Sequence, residues 1–62
     1  MKTILGPGGK LRGYIKENGN KKELLAAGGK LLGYYDEDKD QTLLPGGRLY
    51  GYGNQLMDLF ED

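Results

Sequence analysis

Short stretches along most of the chain repeat with a period of two, as in Leu11-Arg12-Gly13-Tyr14-Ile15-Lys16 and Leu31-Leu32-Gly33-Tyr34-Tyr35-Asp36, where Leu, Gly and Ile or Tyr hold every second position. A period of two is the signature of strands. Each stretch follows a glycine doublet and a basic residue: Gly8-Gly9-Lys10, Gly28-Gly29-Lys30 and Gly46-Gly47-Arg48. The doublets recur at offsets of 20 and 18 residues, so the chain reads as three copies of a unit with the phrase Gly-Gly-(Lys/Arg)-Leu-x-Gly-Tyr. Glycine supplies the positive φ that tight reversals require, which predicts one β-hairpin per unit, over residues 4–23, 24–42 and 43–53. The turn-forming residues are then Gly8, Gly9, Gly28, Gly29, Gly46 and Gly47, with Asn18 and Gly19 linking the first two units in a type I′ loop. The polar run Asp36-Glu37-Asp38-Lys39-Asp40 forms the second link. The predicted fold is all-β, an antiparallel meander of about six short strands near 2–6, 10–17, 20–26, 29–36, 41–45 and 48–53.

The last residues change period. Asn54 is a good helix N-cap, and Leu56, Met57, Leu59 and Phe60 fall on one side of a short α-helix predicted over 54–61. So short a helix is unstable alone and must dock on the sheet.

Residue parity assigns the two faces. Closing the hairpins at Leu5–Lys10, Leu25–Lys30 and Leu44–Arg48 pairs Ile4 with Leu11, Leu24 with Leu31 and Leu43 with Leu49. Centring the links on Asn18-Gly19 and on Asp38 puts Gly13 opposite Leu24 and Gly33 opposite Leu43. Gly13, Gly33 and Gly51 then make room for a leucine within the sheet. The helix is expected on the face carrying Ile4, Leu11, Ile15, Leu24, Leu31, Tyr35, Leu43 and Leu49. The opposite parity holds Leu5, Arg12, Tyr14, Lys16, Leu25, Leu32, Tyr34, Leu44, Tyr50 and Tyr52, eight of them leucine or tyrosine. A solvated sheet face alternates apolar with polar, and one short helix covers only one side.

Length sharpens that picture. A chain of 62 residues buries only about 60% of its unfolded surface and needs a further source of stability. There is no cysteine for disulfides and no cysteine or histidine to hold zinc, which leaves self-association. The nine basic and nine acidic residues cancel, so no global field draws the chain to nucleic acid or anionic lipid. Lys10, Arg12, Lys16, Lys21 and Lys22 come early, whereas Asp36, Glu37, Asp38, Asp40, Asp58, Glu61 and Asp62 come late. Such polarity suits a head-to-tail alignment of two copies. No apolar run approaches the roughly 20 residues of a membrane span, and the start lacks a secretory pattern, so a cytoplasmic protein is expected.

Candidate chemistry is sparse. The chain has no histidine, cysteine, serine or tryptophan, which removes most nucleophile and base pairings, and its carboxylates sit in turns, polar strand positions and the tail. No enzyme, cofactor or metal is expected. The acidic run resembles the opening of a calcium loop, but its sixth position is Gln41 and its twelfth Gly47 where glycine and glutamate belong. The Gly-Pro-Gly-Gly and Ala-Ala-Gly-Gly segments lead into strands, not into the helix that a phosphate cradle needs. Tyrosines interleaved with Arg12, Lys16 and Arg48 offer a weak single-stranded nucleic-acid platform as the alternative function, against which neutral charge argues.

The phrases GGKLRGYI, GGKLLGYYDEDKDQT and GGRLYGYGNQL resemble the Gly-Lys-Leu-x-Gly-Tyr hairpins of MORN-variant and YD-type repeat proteins. They are also similar to small uncharacterised phage and mobile-element proteins ending in a Gly-Asn-x-Leu tail. The MORN-type aromatic-Glu-Gly core is missing, and only Tyr35-Asp36 matches the YD dipeptide. The resemblance implies hairpin repetition and a phage or mobile-element origin, and transfers no functional residue. The function expected is a non-enzymatic protein-binding or assembly module that self-associates through its Tyr/Leu face or its strand edges. Its interface residues are Tyr14, Leu25, Leu32, Tyr34, Leu44, Tyr50 and Tyr52, and its simplest partner is a second copy in a dimer. A host or structural protein is the other partner that such a surface fits, and no membrane is involved.

Overall fold

The structure, a computed structural model, describes residues 1–60. It is an all-β meander: six antiparallel strands in one sheet, each beside its sequence neighbours. They are β1 (Lys2–Leu5), β2 (Leu11–Asn18), β3 (Lys21–Ala26), β4 (Leu31–Asp36), β5 (Gln41–Leu43) and β6 (Leu49–Tyr52). The carboxy-terminal segment corrects the expectation of an α-helix over 54–61. It forms a four-residue 3₁₀ turn, Leu56–Leu59, and Glu61 lies outside the described residues. The N-cap position falls on Gln55 and not on Asn54 as expected, while Asn54, one residue earlier, accepts the Leu56 N–H on its side-chain Oδ1 at 3.2 Å. The amide of Gln55 is already held by the sheet, through the Thr42 hydroxyl at 2.9 Å. The chain tightens into i→i+3 bonds, such as Asp58 N–H to Gln55 C=O at 3.0 Å.

The three hairpin ends are built alike. Gly6, Ala26 and Leu44 each donate to the carbonyl four residues on, at 2.7 Å in all three, closing five-residue loops. Gly9, Gly29 and Gly47 each donate back across three residues, at 3.1, 2.8 and 3.0 Å. These second glycines of the doublets have φ of 78°, 93° and 90°, a left-handed conformation in which a side chain is strained. Gly8 and Gly46 are left-handed too, whereas Gly28 is not.

Each hairpin also carries a β-bulge just inside its loop, between Ile4 and Leu5, Leu24 and Leu25, and Thr42 and Leu43. The pairs are therefore Leu5–Leu11, Leu25–Leu31 and Leu43–Leu49, then Ile4–Gly13, Leu24–Gly33 and Thr42–Gly51. Arg12, Leu32 and Tyr50 are skipped by the ladder. They occupy the variable position of the Leu-x-Gly-Tyr phrase, so the one residue that the repeat leaves free is the extra residue of the bulge. This overturns the pairing of Ile4 with Leu11 and of Leu24 with Leu31, while Leu43 pairs with Leu49 as expected. It also places Thr42 where the other units have Ile4 and Leu24, so the third unit starts one residue before Leu43.

The links differ from expectation as well. Asn18 ends β2 and pairs with Lys21, leaving Gly19-Asn20 as the two-residue loop, with positive φ at Gly19 alone, as in type II′. That slip moves Leu24 from Gly13 to Ile15 without exchanging faces. The second link is the four-residue loop Glu37–Asp40 closed by the Asp36–Gln41 pair. Counting it as centred on Asp38 is off by one, which turns Leu43 to the opposite face, beside Tyr34.

Gly13, Gly33 and Gly51 form a row on one face of the sheet, alternating with Ile4, Ala26, Leu24 and Thr42. The row makes room for leucine, as expected, at Gly13 and Gly33, where the backbone carbonyls of Leu25 and Leu43 approach from the next strand, and it is also the bed for the carboxy-terminal segment. A Cβ on Gly51 would meet the Gln55 amide at 2.7 Å, one on Gly33 the Leu59 Cδ1 at 2.5 Å, and one on Gly13 the Phe60 ring at 3.3 Å. Gly13 also lies against the Leu25 carbonyl. Among the described residues the buried apolar core is Leu24, Leu56 and Leu59, with Ile15, Leu32, Tyr35, Leu44 and Phe60 packed around it. Thr42 is fully buried there and uses its hydroxyl twice, donating to the Gly53 carbonyl at 2.7 Å and accepting from Gln55 N–H. Leucine at this position would pack but leave the Gln55 amide buried without a partner. Arg12 closes the row, its guanidinium 4.4 Å above the Phe60 ring.

Gly33→Ala is expected to destabilise the fold by about 1–3 kcal/mol, the cost of an overpacked core. Gly51→Ala should cost less, because the flexible Gln55 side chain can swing aside. Urea denaturation of the two variants checks the order, and equal midpoints would contradict a tail laid along the glycine row.

Candidate interaction surface

The other face of the sheet has no such cover. Strand alternation from the observed pairs puts Leu5 with Leu11, Leu25 with Leu31 and Leu43 with Leu49 there, one aliphatic pair per hairpin. Tyr14, Tyr34 and Tyr52 stand among them, Tyr14 opposite Leu25 and Tyr34 opposite Leu43. Leu5, Leu11, Leu49 and Tyr52 are exposed, and Tyr14, Leu25, Leu31, Tyr34 and Leu43 half-buried. On its other side each tyrosine meets a polar residue, Thr3 opposite Tyr14, Glu23 opposite Tyr34 and Gln41 opposite Tyr52, and toward the links Lys16 faces Glu23 and Lys21 faces Asp36. The Lys21 ammonium lies 5.3 Å from the centre of the Tyr34 ring, over the edge of the patch.

Of the residues expected on this surface, Tyr14, Leu25, Tyr34 and Tyr52 stand on it. Leu32 and Leu44 do not: they pack against the core beneath the carboxy-terminal turn. Tyr50 lines a hollow beside them, of about 700 Å³, shared with Leu59 and Phe60 and rimmed by Lys30 and Asp58. The bulge is the reason for Leu32 and Tyr50, and the four-residue link, one shorter than expected, is the reason for Leu44, since one residue more or less reverses parity. Leu11, Leu31, Leu43 and Leu49 take their places. The recurrent free position between leucine and glycine was the available signal for this exchange.

Charge and polar chemistry gather at the opposite end of the sheet, around the Glu37–Asp40 loop. Asp36 is buried and turned onto the backbone, its Oδ1 accepting the Asp38 N–H at 3.0 Å. Asn20 Nδ2 donates to Asp38, and Lys22 pairs with Glu37 at 3.3 Å, so both links are tied together. Asp40 holds a left-handed φ of 52° and accepts the Tyr35 hydroxyl at 2.6 Å on Oδ1. That bond, then burial, then the charges of Asp40, Glu37 and Asp36 raise the Tyr35 pKa above the ordinary 10.0. These carboxylates serve the loop's own backbone and its neighbours Asn20, Lys22 and Tyr35. Among the described residues no buried side-chain polar atom lacks a partner, and no helix is long and apolar enough to cross a membrane.

The folded chain holds the Tyr35 proton to higher pH than the unfolded chain does. Its contribution to stability is complete below about pH 10 and is lost as pH rises through the folded-state value. Asp40→Asn, which neutralises the accepting carboxylate, should shift the Tyr35 step of an absorbance titration toward lower pH. A titration left unchanged by the substitution would contradict the Tyr35–Asp40 bond.

Comparison of the chain with protein-family models, with curated proteins and with solved structures finds no match.

Proposed function

We propose that the protein is a non-enzymatic binding or assembly module that associates with copies of itself through its Leu/Tyr sheet face or its strand edges. One observation carries the reading: a sheet with two apolar faces has a tail that covers one of them. The uncovered side presents three leucine pairs and three tyrosines in one patch, the kind of contiguous apolar area that marks an interaction surface. Tyrosine suits such a surface because it brings large contact area at little entropic cost. A second copy is the simplest occupant. Its own open face is chemically identical, and a chain this short gains the stability that its small core does not supply.

The test is light scattering over a wide concentration range, on the parent protein and on Tyr34→Glu. The parent is expected to grow in mass with concentration. Tyr34→Glu should remain folded by circular dichroism and associate less than the parent, since a second carboxylate opposite Glu23 must be desolvated when the face is covered. A parent that is monomeric throughout would overturn the reading. Binding of a labelled single-stranded oligonucleotide that weakens steeply with salt would replace it with a nucleic-acid function.

A further inference from the structure

Three equivalent hairpins in a row make two junctions within the molecule and leave half a junction at each end. At the first internal junction Tyr14 of β2 pairs with Leu25 of β3; at the second, Tyr34 of β4 pairs with Leu43 of β5. The offsets of 20 and 18 residues that relate the hairpins carry Tyr14 and Tyr34 onto Tyr52, and Leu25 and Leu43 onto Leu5. Tyr52 lies on β6 and Leu5 on β1, the two edge strands. Their equivalents inside the sheet are half-buried, whereas Tyr52 is 67% and Leu5 60% exposed, more than any other large hydrophobic residue except Met1.

We propose that β6 of one copy receives β1 of the next, antiparallel, with Tyr52 opposite Leu5, continuing the repeat across the molecular boundary. The inference rests on the self-association proposed above and adds to the face a head-to-tail contact at the edges. In this register Tyr52 and Leu5 are the one pair with both partners inside a strand, because β6 ends at Tyr52 and β1 at Leu5, so the junction is held by their backbone bonds and side chains. Gly53 donates inward to the Asp40 carbonyl at 2.8 Å, so strand alternation turns the N–H and C=O of Tyr52 outward. The Tyr52 carbonyl accepts only the exposed Gln55 side chain, at 2.8 Å. The tail leaves β6 across the covered face, where Gln55 meets Gly51 and Thr42, and not along the open edge. Charge agrees with this polarity. An incoming β1 brings Lys2 to the end of the sheet where the acidic loop Glu37–Asp40 lies one strand away. The two surfaces joined are different, so the contact is heterologous, and copies add in one direction until the row closes or stops.

Cysteine pairing tests the register in a chain that has no thiol of its own. Antiparallel partners that exchange both backbone bonds hold their α-carbons about 5.5 Å apart, a separation that a disulfide spans. Leu5→Cys and Tyr52→Cys, both at exposed positions, are oxidised alone and as an equimolar mixture. The expected result is a disulfide-linked dimer in the mixture, lost when high salt or dilution is applied before oxidation, with each variant alone remaining a monomer on non-reducing gels. Disulfides forming equally well within each variant alone would overturn the head-to-tail edge. So would a mixture that scatters light as an oligomer and yet does not cross-link, an outcome that leaves association through the Leu/Tyr face intact. A parent protein that is monomeric at all concentrations overturns both.

Discussion

A methyl group of Leu59 lies where any side chain on Gly33 would have to be, 2.5 Å from that position, and the covered half of the molecule follows from this approach. A sheet face bristling with side chains would hold the carboxy-terminal segment away from the backbone. Glycine on alternate strands lowers the surface into a trough, and the segment crosses it with one contact per hairpin: Gln55 over Gly51, Leu59 over Gly33, Phe60 over Gly13. Leu24 and Thr42 fill the spaces between the glycines and are wholly buried under the turn. Local propensity does little for a four-residue 3₁₀ turn; the packing beneath it and the two bonds of the Thr42 hydroxyl hold it in place.

The trough has a consequence on the far side of the sheet. One short segment is fully used in covering one face, and the β-bulges send an aliphatic pair from every hairpin to the other. The bulge thus does two things with one extra residue. It turns Leu32 inward to the core, and it turns Leu11, Leu31 and Leu49 outward to join Leu5, Leu25 and Leu43. Without the bulge those leucines would lie on the covered face. Internal repetition adds the second consequence, because edge strands that copy interior ones keep the side chains suited to a neighbour.

Much of this was legible in the sequence. The doublet spacing, the alternating runs and the polar links give the six strands, their order and the turn positions to within a residue or two. The faces of the outer arms were not legible, for a physical reason: parity is unforgiving, and neither a bulge nor a loop of four residues instead of five announces itself in hydrophobicity. The third unit shows the same limit. Hydrophobic matching aligns Leu43-Leu44 with Leu24-Leu25, yet the structure aligns Thr42-Leu43, because the buried role at Thr42 depends on hydrogen bonds to Gly53 and Gln55 that exist only after the tail has folded back. Of the surface, Tyr14, Leu25, Tyr34 and Tyr52 were readable, since they lie on the side of the bulge where parity is kept.

Solvent paramagnetic relaxation of the leucine methyl groups, recorded by NMR from dilute to concentrated solution, tests the division into a covered and an open face most directly. Leu24, Leu56 and Leu59 should be shielded from the probe at every concentration, while Leu5, Leu11 and Leu49 relax fast in dilute solution and become protected as concentration rises. Fast relaxation at Leu59 and Leu24, or protection of Leu5, Leu11 and Leu49 in the most dilute sample, would contradict it.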